Sequence, residues 1–376
     1  MEWRVPLADL DYGEEEEQAV LAVLRSKWLT MGAVTRQFED AFSKLSGSKH
    51  AIAVSNATEA LHLACLSLGI GAGDEVIVPS LSFVATANAV LYCGAEVRFA
   101  DIIGPDELTI DPESIAQMIT PKTKAIIVMH YAGYPCRMAE IKAIADQYKL
   151  VILEDAAHAP GASLSGKALG TWGDVGCFSF FSNKNLPTGE GGMVITNRDD
   201  LAEKIRLQRS HGMTSLTYDR HKGHAFSYDV VDLGFNYRID EIRSALGLAQ
   251  LNKLAWNNQQ RKVLTHQYWE ALGETSVDLP FSQTEIGTPA YHIFPILLPK
   301  SAKREEFMVG LRDAGVQSSI HYRPIHTFSY YKDRYEKKPL PVTENVAHRE
   351  VTLPLYPTMT AEQQQVVIEK VKALLP

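Results

Sequence analysis

The segment Leu150-Val151-Ile152-Leu153-Glu154-Asp155-Ala156-Ala157-His158 contains the pattern that decides the fold. Four consecutive apolar residues at 150–153 are typical of a strand buried on both faces, as in the parallel sheets of α/β proteins. The strand is followed by an acidic pair and then, after two alanines, by an imidazole. Ligands of such sheets bind at the carboxyl ends of the strands, so we expect Asp155 and His158 to lie in a binding site.

Further short apolar runs between residues 50 and 197 predict the rest of this sheet. Several are near-continuous in Val, Ile and Ala, and helical patterns such as 58–68 and 138–148 separate them. This alternation predicts an α/β fold with a mostly parallel, seven-stranded sheet flanked by helices. The other predicted strands are 51–54, 75–78, 96–99, 125–129, 176–181 and 193–196.

A smaller C-terminal α+β unit is predicted after a long helical pattern. We assign residues 1–250 to the large domain, including an N-terminal segment, and residues 251–376 to the small domain. The long pattern, 241–254 and 256–272, is expected to connect the two. The small domain then has predicted strands at 291–298, 317–321 and 350–353, and predicted helices at 303–314 and from Thr360.

Composition and charge exclude several classes of function. The net charge of −8 and the absence of a concentrated basic patch argue against nucleic-acid binding. The first residues lack the basic start and apolar core of a signal peptide, and no apolar stretch approaches about 18 residues, which predicts a cytoplasmic protein without membrane attachment. The four cysteines are widely spaced, so no metal site is predicted.

Lys184 is the candidate nucleophile. It lies between the apolar run 177–181 and the cluster Gly189-Glu190-Gly191-Gly192, a setting that favours an anchored, desolvated amine. Taken alone, a solvated loop lysine is the simpler interpretation. Asp155 favours the interpretation of Lys184 as a nucleophile, because Schiff-base catalysis with pyridoxal phosphate requires an acidic residue beside the ring nitrogen of that cofactor. A helix cap is the alternative role for Asp155.

Other residues fit the remaining parts of that cofactor. The segment 55–60 predicts a helix N-terminus, which attracts a phosphate group, and the hydroxyls of Thr58 and Ser179 are candidate partners. A capping role alone is the alternative for Thr58. His158 is a candidate contact to the phenolic oxygen or ring face, and Phe83 a candidate stacking residue. Ordinary structural roles are the alternatives for both.

Three common chemistries lose support from the sequence. There is no P-loop, no G-x-G-x-x-G after the first strand and no H-E-x-x-H, which argues against NTP hydrolysis, NAD redox chemistry and zinc proteolysis. A hydrolase using Asp155 and His158 would need a nucleophile elbow, which the sequence lacks.

With these motifs in place, the chain resembles the DegT/DnrJ/StrS-type nucleotide-sugar aminotransferases, which are fold type I pyridoxal-phosphate enzymes. The resemblance covers nearly the whole chain. Its carriers are 55–58, 79–86, 154–158, Ser179-Phe180 with Lys184, 189–192, 233–238, 245–251, 321–326 and 353–357.

The resemblance implies roles for individual residues. Lys184 would form the Schiff base with the cofactor, and Asp155 would pair with the ring nitrogen. The Ala57 N–H group, Thr58 and Ser179 would hold the phosphate, and Asn236 would reach the phosphate of a neighbouring subunit, which implies a homodimer. His158 and Ala57 stand where many members carry glutamine and glycine. Residues that the resemblance places near the substrate, on weaker grounds, are Thr30, Gly32, His321, Tyr322 and His326.

The resemblance also implies the reaction. A branch of the family that carries histidine instead of the Schiff-base lysine performs deoxygenation, so Lys184 favours transamination. The expected donor is L-glutamate, and the expected acceptor is the keto group of a nucleotide-linked, 6-deoxy sugar in amino-sugar or polysaccharide biosynthesis. An amino-cyclitol aminotransferase acting on a keto-inositol is the alternative. A non-catalytic regulatory relative is a further one, against which the retained Lys184 and Asp155 argue.

Overall fold

A seven-stranded sheet forms the centre of the computed structural model, which describes residues 3–214, 227–284, 287–334 and 338–376. The strands are β1 (His50–Val54), β2 (Glu75–Pro79), β3 (Glu96–Ala100), β4 (Ile102–Gly104), β5 (Glu107–Ile110), β6 (Thr123–Met129), β7 (Val151–Asp155), β8 (Ser163–Leu164), β9 (Lys167–Ala168), β10 (Val175–Ser179), β11 (Gly192–Thr196), β12 (Phe294–Leu297) and β13 (Glu350–Leu353).

Helices cover the sheet and continue into the C-terminal part. They are α1 (Glu14–Ser26), α2 (Ala33–Ser46), α3 (Ala57–Ser67), α4 (Ala85–Tyr92), α5 (Pro112–Met118), α6 (Met138–Tyr148), α7 (Asp199–Arg209), α8 (Glu241–Leu272), α9 (Arg304–Asp313), α10 (Ser329–Lys332), α11 (Pro341–Arg349) and α12 (Ala361–Leu374). In the described ranges, no helix combines the length and apolarity needed to span a bilayer.

The sheet confirms the predicted fold class. Its order is β1-β11-β10-β7-β6-β2-β3, and all seven strands coincide with predicted ones. The pairs β10–β7, β7–β6, β6–β2 and β2–β3 are parallel, whereas β11 is antiparallel to both β1 and β10. Ile126, Ile127 and Val128 in central β6 are fully buried, as expected for a strand covered on both faces.

The long helix α8 contributes to two cores. Leu254 packs in a core with Phe38 of α2, whereas Leu264 and Tyr268 pack in the core of the C-terminal part. The predicted domain boundary after residue 250 therefore lies inside this helix. Val5, near the N-terminus, packs in the C-terminal core as well, and its N–H group bonds the Gly315 carbonyl.

One predicted strand is wrong, and two hairpins were not predicted. Within 317–321, only Ser319 forms a bridge, to Thr352 of β13, because the next available N–H group, of His321, donates to the Glu350 carboxylate instead. The hairpins β4–β5 and β8–β9 consist of strands of two to four residues, which are too short to show an alternating pattern.

We expect Gly176→Ala to destabilise the fold. A Cβ atom on Gly176, in β10, would lie 2.3 Å from the carbonyl oxygen of Gly170, so the backbone would have to shift. Overpacking of this kind costs about 1–3 kcal/mol of unfolding free energy. Gly104→Ala is the matched control, because a Cβ there meets nothing within 4 Å. Equal urea midpoints for the two variants would contradict the prediction.

Candidate active site

A cavity of about 740 Å³ opens at the carboxyl ends of the sheet strands. Strand ends contribute Met129, Asp155 and Ser179, and the N-terminus of α3 forms another wall. The structure brings together nine residues predicted from the sequence. They are Ala57, Thr58, Phe83, Asp155, His158, Ser179, Lys184, His321 and Tyr322.

Lys184 is positioned by the loop between β10 and β11. The loop closes on itself, because the Phe180 N–H group donates to the Gly191 carbonyl (2.9 Å) and the Thr188 N–H group to the Phe180 carbonyl (2.8 Å). Leu186, fully buried, anchors the far side of the loop. Burial lowers the pKa of Lys184 to about 8, although the nearby Asp155 carboxylate acts in the opposite direction. A neutral amine is therefore available near neutral pH.

Asp155 is held by two hydrogen bonds at the last position of β7. The Thr86 hydroxyl donates to one carboxylate oxygen (2.6 Å), and the Ala157 N–H group donates to the other (3.2 Å). Burial raises the pKa of Asp155, and these bonds and the charge of Lys184 only partly offset that effect. A cationic N–H group in the cavity would favour the charged carboxylate further. Asp155 therefore suits pairing with a protonated ring nitrogen.

The N-terminus of α3 has the geometry that an anion-binding turn requires. Asn56, not Thr58, caps the helix by accepting from the Glu59 N–H group (2.9 Å), so the purely capping role for Thr58 is wrong. The first N–H groups, of Ala57 and Thr58, have no preceding helical carbonyl to bond. A Cβ atom on Gly192 would lie 2.6–2.8 Å from the backbone of Asn56 and Ala57, so glycine is required where β11 passes this turn. These groups, with the Ser179 hydroxyl, fit a phosphate.

His158 and Tyr322 form a neutral hydrogen-bonded pair. The Ala132 N–H group donates to Nδ1 of His158 (3.2 Å), which assigns the ring proton to Nε2, 2.9 Å from the Tyr322 oxygen. Burial lowers the pKa of His158 well below its ordinary value and raises the pKa of Tyr322. Phe83, whose ring lies 6.0 Å from that of Tyr322, is 55% exposed, so a core role for Phe83 is wrong.

His321 belongs to a second buried chain of polar groups. When the Glu350 carboxyl is ionised, the Thr352 hydroxyl donates to it (2.5 Å) and therefore accepts from Nδ1–H of His321 (2.8 Å). The Nε2 atom of His321 is then the hydrogen-bond acceptor of the ring. Burial lowers the pKa of His321 to about 4 and raises that of Glu350 to about 8.

Four predicted site residues do not line this cavity in the described part of the chain. Thr30 is exposed, and the Gly32 N–H group bonds the Glu241 carboxylate (2.8 Å) at the start of α2. His326 bonds the Ser80 hydroxyl (2.6 Å) and borders a separate cavity of about 610 Å³. Asn236 is exposed and bridges to Ser210.

Two buried residues of the site were missed. Thr86 lies in the motif 79–86, but its hydrogen bond to Asp155, 69 residues away in the chain, can be seen only in the folded structure. His292 lies 3.4 Å from the Lys184 amine, between Nε2 and Nζ. It is a single histidine in an apolar stretch, and such a pattern carries no functional signal.

Comparison with known proteins gives a family and several similar structures. A model described as the DegT/DnrJ/EryC1/StrS aminotransferase family matches residues 10–372. The chain is similar to Helicobacter pylori PseC, an aminotransferase involved in the biosynthesis of pseudoaminic acid, with 30% identity, a TM-score of 0.92, and 100% and 99% of the two chains covered.

Two further structures show similar agreement. DesV from S. venezuelae has 33% identity and a TM-score of 0.90, with 98% of each chain covered. The sugar aminotransferase CalS13 from Micromonospora echinospora has 30% identity and a TM-score of 0.89, with 98% of this chain and 99% of that chain covered.

We expect Glu350 to make stability depend on pH. Its pKa is about 8 in the folded protein and near the ordinary value of about 4.3 when unfolded, so the folded state binds the extra proton between these values. The contribution of Glu350 to the free energy of unfolding should therefore fall as pH rises from 5 to 8, by up to about 1.4 kcal/mol per pH unit. It is measured as the difference between wild type and Glu350→Gln, because the buried histidines contribute a slope of the opposite sign below their unfolded pKa. In Glu350→Gln this part of the slope should disappear. Identical slopes in urea titrations of both proteins would exclude this role.

Proposed function

The chain belongs to the DegT/DnrJ/EryC1/StrS aminotransferase family, and we propose that it transfers an amino group from L-glutamate to the keto group of a nucleotide-linked sugar. Enzymes of this family are aminotransferases that depend on pyridoxal phosphate. The observation that carries the proposal is the meeting of Lys184, Asp155 and the N-terminus of α3 in one cavity. Lys184 would bond to the carbonyl carbon of that cofactor, Asp155 would pair with its ring nitrogen, and the helix N-terminus would bind its phosphate.

The residues present fit the cofactor. The turn at Ala57 and Thr58, with Ser179, would hold the phosphate, and Asp155 would pair with the ring nitrogen. When bound, pyridoxal phosphate supplies an electron sink that stabilises negative charge at the substrate carbon. Asp155 sustains this property, because Thr86 and Ala157 hold its carboxylate in place while burial excludes water from it.

Lys184 would serve two purposes in turn. Its amine would hold the cofactor in the resting enzyme and, once free, would carry a proton to and from the substrate carbon. A pKa of about 8 suits the second task, since proton transfer is efficient when the pKa lies near the working pH.

The cavity has room and chemistry for a polar substrate. Its volume of about 740 Å³ falls within the range of small-molecule sites. The His321 ring and the Tyr322 hydroxyl offer hydrogen-bond partners for sugar hydroxyls. Exposed aromatic rings of Phe83, Tyr92 and Phe181 line the same cavity and offer flat faces for a nucleotide base.

We also propose a homodimer with shared active sites. Asn236 is exposed and lies outside the cavity of its own chain, as expected of a residue that serves a partner. Nearby apolar side chains are exposed too: Val230 and Val231 are 57% exposed and Leu233 is 79% exposed. An exposed apolar segment of this kind favours a protein–protein contact.

The substrate proposal predicts a specific activity. With pyridoxal phosphate and L-glutamate, the protein should produce 2-oxoglutarate when a nucleotide-linked keto sugar is added. Borohydride should fix the cofactor on the peptide that contains Lys184, and Lys184→Ala should lose both results. Amination of a keto-inositol but not of any nucleotide-linked keto sugar would replace the proposal with the cyclitol alternative.

The shared site predicts complementation between two inactive variants. Lys184→Ala lacks the nucleophile, and Asn236→Asp would place a negative charge beside the partner's phosphate. In mixed dimers one site would then carry both changes and the other neither. When equal amounts of the two variants are unfolded, mixed and refolded together, half of the dimers should be mixed, which should restore about a quarter of the wild-type activity. If Asn236 served its own chain, every site would stay defective and the mixture would remain inactive.

A further inference from the structure

His292 contacts the Lys184 amine from the side of the C-terminal part of the chain. Its side chain is 3% exposed, and its Nε2 atom lies 3.4 Å from Nζ of Lys184. The backbone of His292 is fixed at both ends. Its N–H group donates to the Ala132 carbonyl (2.8 Å), and its carbonyl accepts from the Arg261 guanidinium (3.0 Å). The ring therefore has little freedom to move away from Lys184.

Asn185 determines which ring nitrogen of His292 carries the proton. The Asn185 amide group donates both hydrogens, one to the Ala290 carbonyl (2.7 Å) and one to the Asn258 side-chain oxygen (2.8 Å). Its own oxygen must therefore face Nδ1 of His292, 2.9 Å away, and accept from it. The proton lies on Nδ1, and Nε2 presents a lone pair to the Lys184 amine.

The charge state of His292 agrees with this assignment. Burial is the main cause that lowers its pKa well below the ordinary value, and nearby groups act in the same direction. The titratable groups that act on it are His158, Lys184, Arg261 and His321. The rings of His158 and His292 lie 4.3 Å apart, so a positive charge on either would repel the other. Near neutral pH, His292 accepts a hydrogen bond and donates none to Lys184.

We propose that His292 is a positioning residue for Lys184, accepting a hydrogen bond from its amine whenever that amine is not bonded to the cofactor. Asn185, next to Lys184 in the chain, keeps the ring in the tautomer that can accept. The interaction holds the released amine at the wall of the cavity that Lys184 lines. The inference rests on the proposed role of Lys184, but its test requires neither cofactor nor substrate.

The test measures the Lys184 amine directly in cofactor-free protein. A trace amount of acetic anhydride labels only neutral amines, and mass spectrometry of the peptide with Lys184 gives the labelled fraction at each pH. For wild-type protein the midpoint should lie near pH 8. The exposed Lys370, in the same digest, is an internal control for reagent and pH.

Two substitutions separate the acceptor from the bulk of the ring. A lone-pair acceptor favours the charged amine over the neutral one, because charged donors form stronger hydrogen bonds. His292→Leu removes the acceptor, so the midpoint should fall by about 0.5–1 pH unit, equivalent to about 2.5- to 5-fold faster labelling at pH 7. In His292→Gln, the side-chain amide can bond Asn185 and still offer its oxygen to Lys184, so the midpoint should stay near the wild-type value.

The outcomes decide the proposal. An unchanged midpoint in folded His292→Leu would overturn it, as would an equal shift in His292→Leu and His292→Gln. If the leucine variant does not fold, His292→Met removes the ring acceptor in a more adaptable side chain and is judged by the same criterion. Because the labelling is independent of catalysis, failure to aminate a sugar would count against the proposed function only.

Discussion

The parallel register between β7 and β10 is the constraint on which the site depends. It sets Asp155 opposite Cys177, so that both strands end at the same edge of the sheet. From there, β10 leads through Ser179 into the loop that contains Lys184, and β7 leads into the turn that contains His158. A shift of one residue would turn the Asp155 side chain to the other face of the sheet, where it could not share a cavity with Lys184.

Burial shifts the pKa values of the two central charged groups of the site, Lys184 and Asp155, in opposite directions. Burial makes the Lys184 amine easier to deprotonate and the Asp155 carboxylate harder to ionise. Each favours the charged form of the other, and the histidines around them stay neutral for the same reason, burial. The cavity thus contains proton donors and acceptors of fixed orientation rather than a set of free charges. Fixed dipoles of this kind are what stabilise charge that develops during a reaction.

The C-terminal part of the chain contributes directly to the walls of the cavity. His292, His321 and Tyr322 all come from beyond α8, yet they line or contact the cavity at the sheet edge. Arg261 joins α8 to this part of the chain, because its guanidinium donates to the carbonyls of His292 and Leu355. The position of the small unit relative to the sheet is therefore part of the active-site geometry, and α8 sets it.

The amino-acid sequence determined the sheet and the main site residues, because both are encoded locally. Buried parallel strands appear as apolar runs; Ser179 lies in one such run, and Asp155 and Lys184 lie within three residues of the end of one. Tertiary structure decided the rest. His292 is an isolated histidine that lies 108 positions after Lys184 in the chain, and only the fold brings it to 3.4 Å from the Lys184 amine. His326 belongs to the same motif as His321 but lies at another cavity. Contacts between distant segments depend on packing and on hydrogen-bond partners such as Asn185, and no local pattern records them.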